Sequence, residues 1–539
     1  MNPYTIGIIS SIAVYLLIGN FMGRRVKSID DYYVAGRNAS TLLIVGTLVA
    51  SFLSTAAFLG ETGFIYEGHA GVLFIMIVFN LFGYVTGALF FGRYIRRSQA
   101  ITVAEYFGKR FASHRVQSAA GVTIIVGLAA YLLAVTQGAS LAISEAMDIP
   151  YDVTLFIVWL GYTWFTAYSG SKGVVVTDTI MFLLFTVVAF LAVYSIIAAA
   201  GGWFYSIEEL ATFETKPGIL AWHGVIGPES RWQNIPDAIT WGFILGIAWG
   251  VTVAVSPWQS SRYLMAKDEH TVVRAACVAT AVTMLFYCAL IMAAVSINLI
   301  EPNIQPTEKA MIWAAMNVLP TFAGVLLMSG IIAAALSSAS TFLSLIAFSA
   351  TNDLIELKTT SEGRRLAISR YAMLVVGIVI LVLAYLQPPA ILAISYFAAT
   401  LFASSWGPVA FMSVWSKRIT ANGAFWGIVV GFSANFSAKL LELYEIILLP
   451  VFLHPIVIGI VMSTATIIIV SACGQVSYSE KKFHSQMHNI PSAEIDEART
   501  RGTLRFAKGL ILCGVILSLL LIVFYVIPYE NALERAAIL

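Results

Sequence analysis

The sequence predicts an all-α polytopic membrane protein of about fourteen transmembrane helices. Three observations carry that prediction: a composition foreign to water, apolar runs long enough to span a bilayer, and basic residues confined to alternate loops. Of 539 residues, 59% are hydrophobic and only 11% charged, and the mean hydropathy is +0.85. Soluble domains carry charge on roughly a quarter of their residues. The formal net charge of +2 is spread over short loops, which offers nucleic acid no basic patch. The expected surroundings are a lipid bilayer, and the expected location is the bacterial inner (plasma) membrane.

Apolar runs of about 17 residues or more fall at 4–21, 41–63, 72–94, 117–146, 151–168, 174–200, 237–258, 271–299, 311–351, 367–387, 390–414, 421–442, 446–473 and 506–527. The first lacks a basic leader and is followed by Arg24, Arg25 and Lys27, so it reads as a retained helix and not a cleaved signal peptide. Arg37, Arg96, Arg97, Lys109, Arg110, Lys172, Arg262, Lys267, Arg364, Arg365, Lys417, Arg418, Lys481 and Lys482 fall in the same alternate set of loops. The positive-inside rule puts that set in the cytoplasm and, with an even number of spans, both termini outside. Loop 201–237 carries Trp203, Trp222 and Trp232, suited to a lid or to anchoring in the interfacial aromatic belt. The polar stretch 475–503 reads as a solvated linker, with His484 and His488 on an exposed surface. Cys277, Cys288, Cys473 and Cys513 lack metal-ligand spacing and read as small core residues.

Two runs look interrupted. In 41–63, small and hydroxyl residues occupy the middle, and Gly60, Glu61 and Gly63 weaken the end; in 237–258, Gly246, Gly250, Ser256 and Pro257 do the same. The two lie an odd number of helices apart, so the second copy is inverted in the membrane. A 5+5 inverted repeat around two broken helices is the architecture of secondary transporters. The expected division is 1–40 as an added helix and its loop, 41–200 and 237–414 as the repeats, 201–236 as an extracellular loop, and 415–539 as added helices.

Ser337, Ser338, Ser340 and Thr341 cluster inside the apolar run 331–354. At helical spacing of three and four they form one patch. Hydroxyls at that depth bond to backbone, to a facing helix, or to a small hard cation such as sodium. An unwound partner near Ala50 and Leu53 would add free carbonyls. Asp178 lies about one turn inside its span, where a carboxylate is costly and marks either an ion site or a pair with Lys172. Glu61 either meets a ligand at the helix break or hydrogen-bonds freed amides.

The blocks DDYYVAGRN at Asp30, ASFLSTAAFLGETG at Ala50, TDTIMF at Thr177, AWGVTVAVSPWQSSRYLMA at Ala248 and AAALSSASTFLS with TNDL at Thr351 together resemble the sodium/solute symporter family over residues 20–475. That resemblance implies a leucine-transporter-type core of ten helices with flanking ones and no cofactor beyond Na+ as coupling ion. It implies a main sodium site from carbonyls of Ala50, Leu53 and Ala334 and hydroxyls of Ser337 and Ser338. A second sodium site, found in some sialic acid carriers of the family, would fall on Asp178, Ser337, Ser340 and Thr341. In proline carriers the position of Phe52 is Asp and that of Val253 is aromatic, which argues against proline itself.

The central polar candidates are few, Ser54, Thr55, Asn80, Gln137 and Gln259, and the expected substrate contacts are Phe52, Ser54, Thr55, Gln137 and Trp249. A sugar needs a partner for every desolvated hydroxyl, at about 1–3 kcal/mol each when unmet, so a small carboxylate or amino acid fits better. The chain is not expected to be an enzyme: seven scattered His residues offer no catalytic motif. Proton coupling through Asp178 or Glu61, and a transporter-like sensor acting through a separate partner, are the alternatives to sodium symport.

Overall fold

The computed structural model describes residues 2–23, 28–355, 361–386 and 390–538; Arg24, Arg25 and Lys27 lie outside them. Helix closes every backbone hydrogen bond within one segment, which is what hydrocarbon demands, and the described residues are helical with no strand beyond one isolated bridge between Ala39 and Ala266. Twelve helices among them are long and apolar enough to cross a membrane, against about fourteen expected. The difference lies at two places where neighbouring spans share one helical stretch.

The first is the segment of α2 (Thr41–Phe52) and α3 (Ala56–Glu61), which runs on into α4 (Ala70–Gly87). Gly68 at φ +118 turns the chain between them, a conformation that suits glycine alone. Beyond the turn α4 folds back, and the Tyr84 hydroxyl reaches the Leu48 carbonyl at 3.2 Å. The second is α6 (Tyr151–Ala199), far longer than a bilayer is thick. Its first half follows α1 (Pro3–Gly23): Asn2 bonds Ala146 just before it begins, and Phe165 packs on Gly19. Ser171 then bonds the Tyr33 carbonyl at the opposite face. The second half returns along α10 (Thr321–Phe348), Asp178 meeting Ser337 and Phe185 meeting Gly330. The run expected at 311–351 begins instead at Thr321, because Pro320 ends a separate short helix, Ala310–Asn317.

Both interruptions are real. Helix α2 stops at Leu53 (φ −77, ψ 85). Helix α7 (Ile235–Val255) stops at Ser256 (φ −59, ψ 149), and α8 (Pro257–Met265) resumes with proline at its first position, where its missing N–H costs nothing. Glycine lets α4 and α7 touch backbone to backbone. A Cβ on Gly83 would sit 2.2 Å from the Gly250 carbonyl oxygen, and one on Gly87 2.7 Å from Ala254 Cα, the small-residue packing that lets membrane helices approach closely.

The ends of the helices define two faces. Asn2 and Tyr4, the Gly68 turn, the tryptophan loop and residues 298–304 lie together: Lys216 bonds the Tyr66 carbonyl and Asn298, and Tyr525, near the C-terminus, bonds the Leu220 carbonyl. Burial pushes Lys216 down to about 8. Both termini therefore share one face. In the loop there, Trp222 is exposed, whereas Trp232 is buried against His69 and Trp241.

On the basic face, Arg96 donates to the carbonyls of Ala266 and Lys267 at 2.5 Å each, and Arg97 pairs with Glu269. Stretch 475–503 is largely exposed, as expected of a solvated linker, but a few of its residues dock there. His484 and His488 both approach the Val414 carbonyl, at 2.8 and 2.9 Å, Met487 is buried, and Glu494 accepts the Glu269 amide. Burial and the nearby Arg110 push His484 down to about 4. Cys277 is buried, but Cys473 and Cys513 are exposed and not core residues.

Adding a methyl group at Gly83 must push two backbones apart, whereas Gly509 has nothing within 4 Å of where its Cβ would lie. Gly83→Ala is expected to destabilise the detergent-purified protein by about 1–3 kcal/mol, read as a lower thermal unfolding midpoint, and Gly509→Ala to leave the midpoint unchanged.

Candidate functional site

At the first break the backbone bonds change partners. In a continuous helix Ser54 and Ala57 would donate to Ala50 and Leu53; here they donate to Phe52 and Ser54, at 3.0 and 3.1 Å. The carbonyls of Ala50 and Leu53 are thus left without the backbone bond from four residues on, while the Ser54 hydroxyl caps the Ala56 amide at 3.1 Å. At the second break Pro257 has no amide to give Val253, and Trp258 and Gln259 make no backbone bond across it to Ala254 and Val255.

Helix α10 presents the hydroxyl patch. Ala334, Ser337, Ser338, Ser340 and Thr341 are all buried. Ser340 donates to the Ser337 carbonyl at 2.9 Å and Ser337 to Asp178 Oδ1 at 2.8 Å. Ser338 Oγ finds no hydrogen-bond partner among the described residues. It is the one hydroxyl of the patch that makes no hydrogen bond among the described residues.

Asp178 is fully buried and draws in three other elements. Its Oδ2 accepts from Thr47 of α2 at 2.6 Å and lies 3.5 Å from Arg262 Nη2 of α8; Oδ1 accepts from Ser337 of α10. The same Arg262 nitrogen donates to the Thr341 hydroxyl. Two expectations are corrected here. Lys172 does not pair with Asp178; it pairs with Asp31 at 3.1 Å. Arg262 is no loop residue but is 2% exposed within α8.

The residues expected to meet substrate are all buried. Phe52 and Trp249 meet edge to face, ring centroids 6.3 Å apart, and Tyr84, Tyr131, Tyr287 and Tyr396 complete an aromatic shell about them. Thr55 lies against Gly138 of α5 (His114–Met147), beside Gln137, whose Oε1 faces the Ala390 amide at 3.4 Å. Thr55 Oγ1, Trp249 Nε1, Ser256 Oγ, Gln259 Oε1, Ser260 Oγ and Asn80 Oδ1 are buried without hydrogen-bond partners among the described residues. Glu61 accepts from Tyr287 at 2.6 Å and Tyr396 at 3.2 Å. Its carboxylate serves tyrosine side chains, not freed amides.

From the face of the tryptophan loop, a cavity of about 340 Å³ descends between Gly60, Glu67, Arg231, Trp241 and Tyr396. Phe64, Trp241 and Tyr396 stack in sequence, 5.6 and 6.2 Å apart, and Tyr396 touches Trp249 beneath. One aromatic layer separates cavity from break. Thr47, Arg262, Tyr131, Tyr287 and Tyr396 were not anticipated from sequence. The signal for Arg262 existed, because a buried carboxylate needs a counter-charge.

Comparison with known proteins agrees with this geometry. The model of the sodium:solute symporter family matches residues 32–431. The sodium/proline symporter of Escherichia coli (strain K12) is 25% identical over 511 residues, 90% of this chain and 96% of that protein. The sodium/pantothenate symporter of the same organism is 23% identical over 415 residues, 75% and 83% of the two chains. The substrate-bound outward-open structure of a Na+-coupled sialic acid symporter matches with a TM-score of 0.74 at 20% identity, over 89% of this chain and 99% of that one. A nucleobase-cation-symport-1 family transporter in a closed conformation matches at 0.54. The fold is thus the leucine-transporter-type inverted repeat. The matched residues include both helix breaks, Asp178, Arg262 and the hydroxyls of α10, and the chain belongs to the sodium:solute symporter family, integral membrane transporters that couple solute movement to Na+.

Proposed function

We propose that the chain carries a small organic carboxylate or amino acid together with Na+, by alternating access about the two helix breaks. One observation carries the reading: at the two breaks Thr55 Oγ1, Ser256 Oγ, Gln259 Oε1 and Ser260 Oγ, and on α10 Ser338 Oγ, are buried without hydrogen-bond partners among the described residues. An unpartnered buried polar group costs about 1–3 kcal/mol, a cost that binding a ligand offsets.

For Na+, oxygen donors are needed. The carbonyls of Ala50 and Leu53 have lost their helical donors, Ser338 Oγ is unspent, and Ala334 and Ser337 lie on the same α10 segment. These five form the proposed main site. For substrate, the start of α8 offers unbonded amides, and the positive end of a helix favours an anion. Proline, pantothenate and sialic acid, named for the relatives, all bear a carboxylate. Phe52 and Trp249 supply apolar walls, and Ser54, Thr55 and Gln137 the polar contacts. The positive-inside rule puts the face carrying Arg96, Arg97 and Arg110 in the cytoplasm, hence both termini and the 340 Å³ cavity outside.

A thermal-shift screen of the purified protein against small carboxylates and amino acids, in Na+ or in K+, tests this. One compound is expected to raise the midpoint in Na+ alone, and Ser338→Ala to remove that dependence while folding normally. Stabilisation equal in both salts would overturn sodium coupling in favour of proton coupling or sensing. In the same assay Trp249→Ala is expected to weaken the compound's effect at least about tenfold in concentration, a loss of roughly 1.4 kcal/mol or more, with the Na+ dependence kept.

A further inference from the structure

We infer that a groove between α5 and the helix Ala421–Leu443 seats one anionic phospholipid of the leaflet on the basic face. The inference is independent of the solute carried. The groove has a volume of about 500 Å³; Val122, Val429 and Phe432 line its depth, and His114, Arg115 and Phe425 its mouth. Its length fits one acyl chain. At a rise of about 1.5 Å per residue, Val122 lies about 12 Å along α5 from His114, and Phe432 about 10 Å beyond Phe425. One leaflet of a hydrocarbon core about 30 Å thick supplies roughly 15 Å. Within hydrocarbon, an apolar wall draws lipid no more strongly than it draws another helix, so charge at the mouth selects the occupant.

That charge is positive and uncompensated. The Arg115 guanidinium lies over the Phe425 ring, 4.9 Å from its centroid, and forms no ion pair among the described residues. Lys417 and Arg418, exposed and also without an ion pair among the described residues, stand just before the facing helix begins. The nearby acids are committed. Glu480 accepts the amides of Ala421 and Ser477, and Asp353 is buried among its four donors. A guanidinium offers phosphate a rigid fork of N–H donors. The positive-inside rule makes this face cytoplasmic, where anionic lipids gather and basic pockets between helices hold their headgroups. A second copy docked here by two-fold symmetry would set these cations against their own counterparts. The bound lipid also bears on the closure of the basic face. Ser118, on the groove wall, donates to the Asp353 carbonyl at 3.0 Å, and Gly121 packs against Asp353 and Ser349. A chain in the groove braces the turns of α5 that hold Asp353 and thereby stabilises the closed form of that face.

The test uses delipidated full-length protein and two probes, palmitoyl-oleoyl phosphatidylglycerol and the matching phosphatidylcholine, with retention read by native mass spectrometry. Wild type is expected to hold one phosphatidylglycerol per chain at a concentration about tenfold below that needed for phosphatidylcholine. Arg115→Glu is expected to abolish the preference. Val429→Trp, which fills the groove and leaves every charge in place, is expected to abolish the tight site. Arg501→Glu, at an exposed arginine elsewhere on the basic face, is expected to change neither. Equal retention of the two lipids by wild type would overturn the inference, as would a preference that survives either Arg115→Glu or Val429→Trp. An equal loss in Arg501→Glu would reduce the effect to diffuse surface charge and overturn it too. A dimer mass that Val429→Trp dissociates would put a second copy in the groove instead of lipid.

Discussion

A helix that ends inside hydrocarbon strands its last carbonyls and its successor's first amides, and lipid has nothing to offer them. This chain ends helices there twice, after Phe52 and after Val255. The surrounding structure keeps protein, not lipid, against both places. Glycines at 83, 87, 246 and 250 bring α4 onto α7. Helix α10 is almost wholly buried, with 94% of its most apolar window inside the protein, and Tyr84 and Gln259 converge on the Leu48 carbonyl one turn before the first break. Unwound backbone at this depth persists only where protein or a cavity lines it, and the same unwinding supplies the free carbonyls and amides that an ion and an anion require.

Asp178 ties those breaks to the helices that frame them. A buried ion pair is weak evidence of stability, yet removing one partner of such a pair costs about 3–5 kcal/mol. Its value here is geometric. Thr47 stands two turns before the first break, Arg262 follows the second, and Ser337 and Thr341 lie on α10. One carboxylate therefore registers both broken segments against a third helix. Ser338, next to Ser337, makes no hydrogen bond among the described residues, so motion of either broken helix changes the proposed ion site and the Asp178 contacts together.

Much of the frame was legible in the sequence because membrane physics writes it in simple terms: apolar length, loop charge, and glycine or proline where a helix fails. Pro257 marked the second break within one residue. The first reads both as glycines weakening the end of the run at Gly60 and Gly63 and as unwinding near Ala50 and Leu53, and the backbone parts at Leu53. Those glycines serve packing, Gly60 against Leu392 and Gly63 against the Glu308 backbone; the break is set by Ser54, whose hydroxyl caps the next helix. The grouping of Ser337 with Asp178 was readable from hydroxyl spacing and a costly carboxylate, without the partner that completes it. Arg262 was hidden by the rule that basic residues belong to loops. In stretch 475–503 the polar composition matched its largely exposed surface but gave no sign that Glu480, His484 and Met487 dock, since polar composition does not distinguish water from a polar protein surface. Tyr131, Tyr287 and Tyr396 come from three distant helices, and only tertiary packing assembles them.

The two faces of the site are closed by different chemistry, and that difference orders its opening. Toward the tryptophan loop the barrier is the aromatic layer of Phe64, Trp241 and Tyr396, under a cavity that already reaches it. Aromatic pairs contribute about 0.5–1.5 kcal/mol each beyond their burial, and rings can part by rotation. Toward the basic face the closure is a carboxylate network: Asp353, fully buried, accepts from Thr102, Gln117, Asn352 and Ser349 at 2.8–2.9 Å, and Arg96 clamps the end of α8 by two carbonyls. Hydrogen bonds to charged groups are worth about 1.5–3 kcal/mol each, and a buried charge left unmet costs more. In the proposed cycle, opening the aromatic side parts rings alone, whereas opening the basic side disturbs the hydrogen bonds that Asp353 accepts. Rearrangement on that side becomes feasible only when it is linked to the shift of a whole helix. Helix α10 is that element, since it carries the hydroxyls of the proposed ion site in its middle and leads directly into Asp353 at its end.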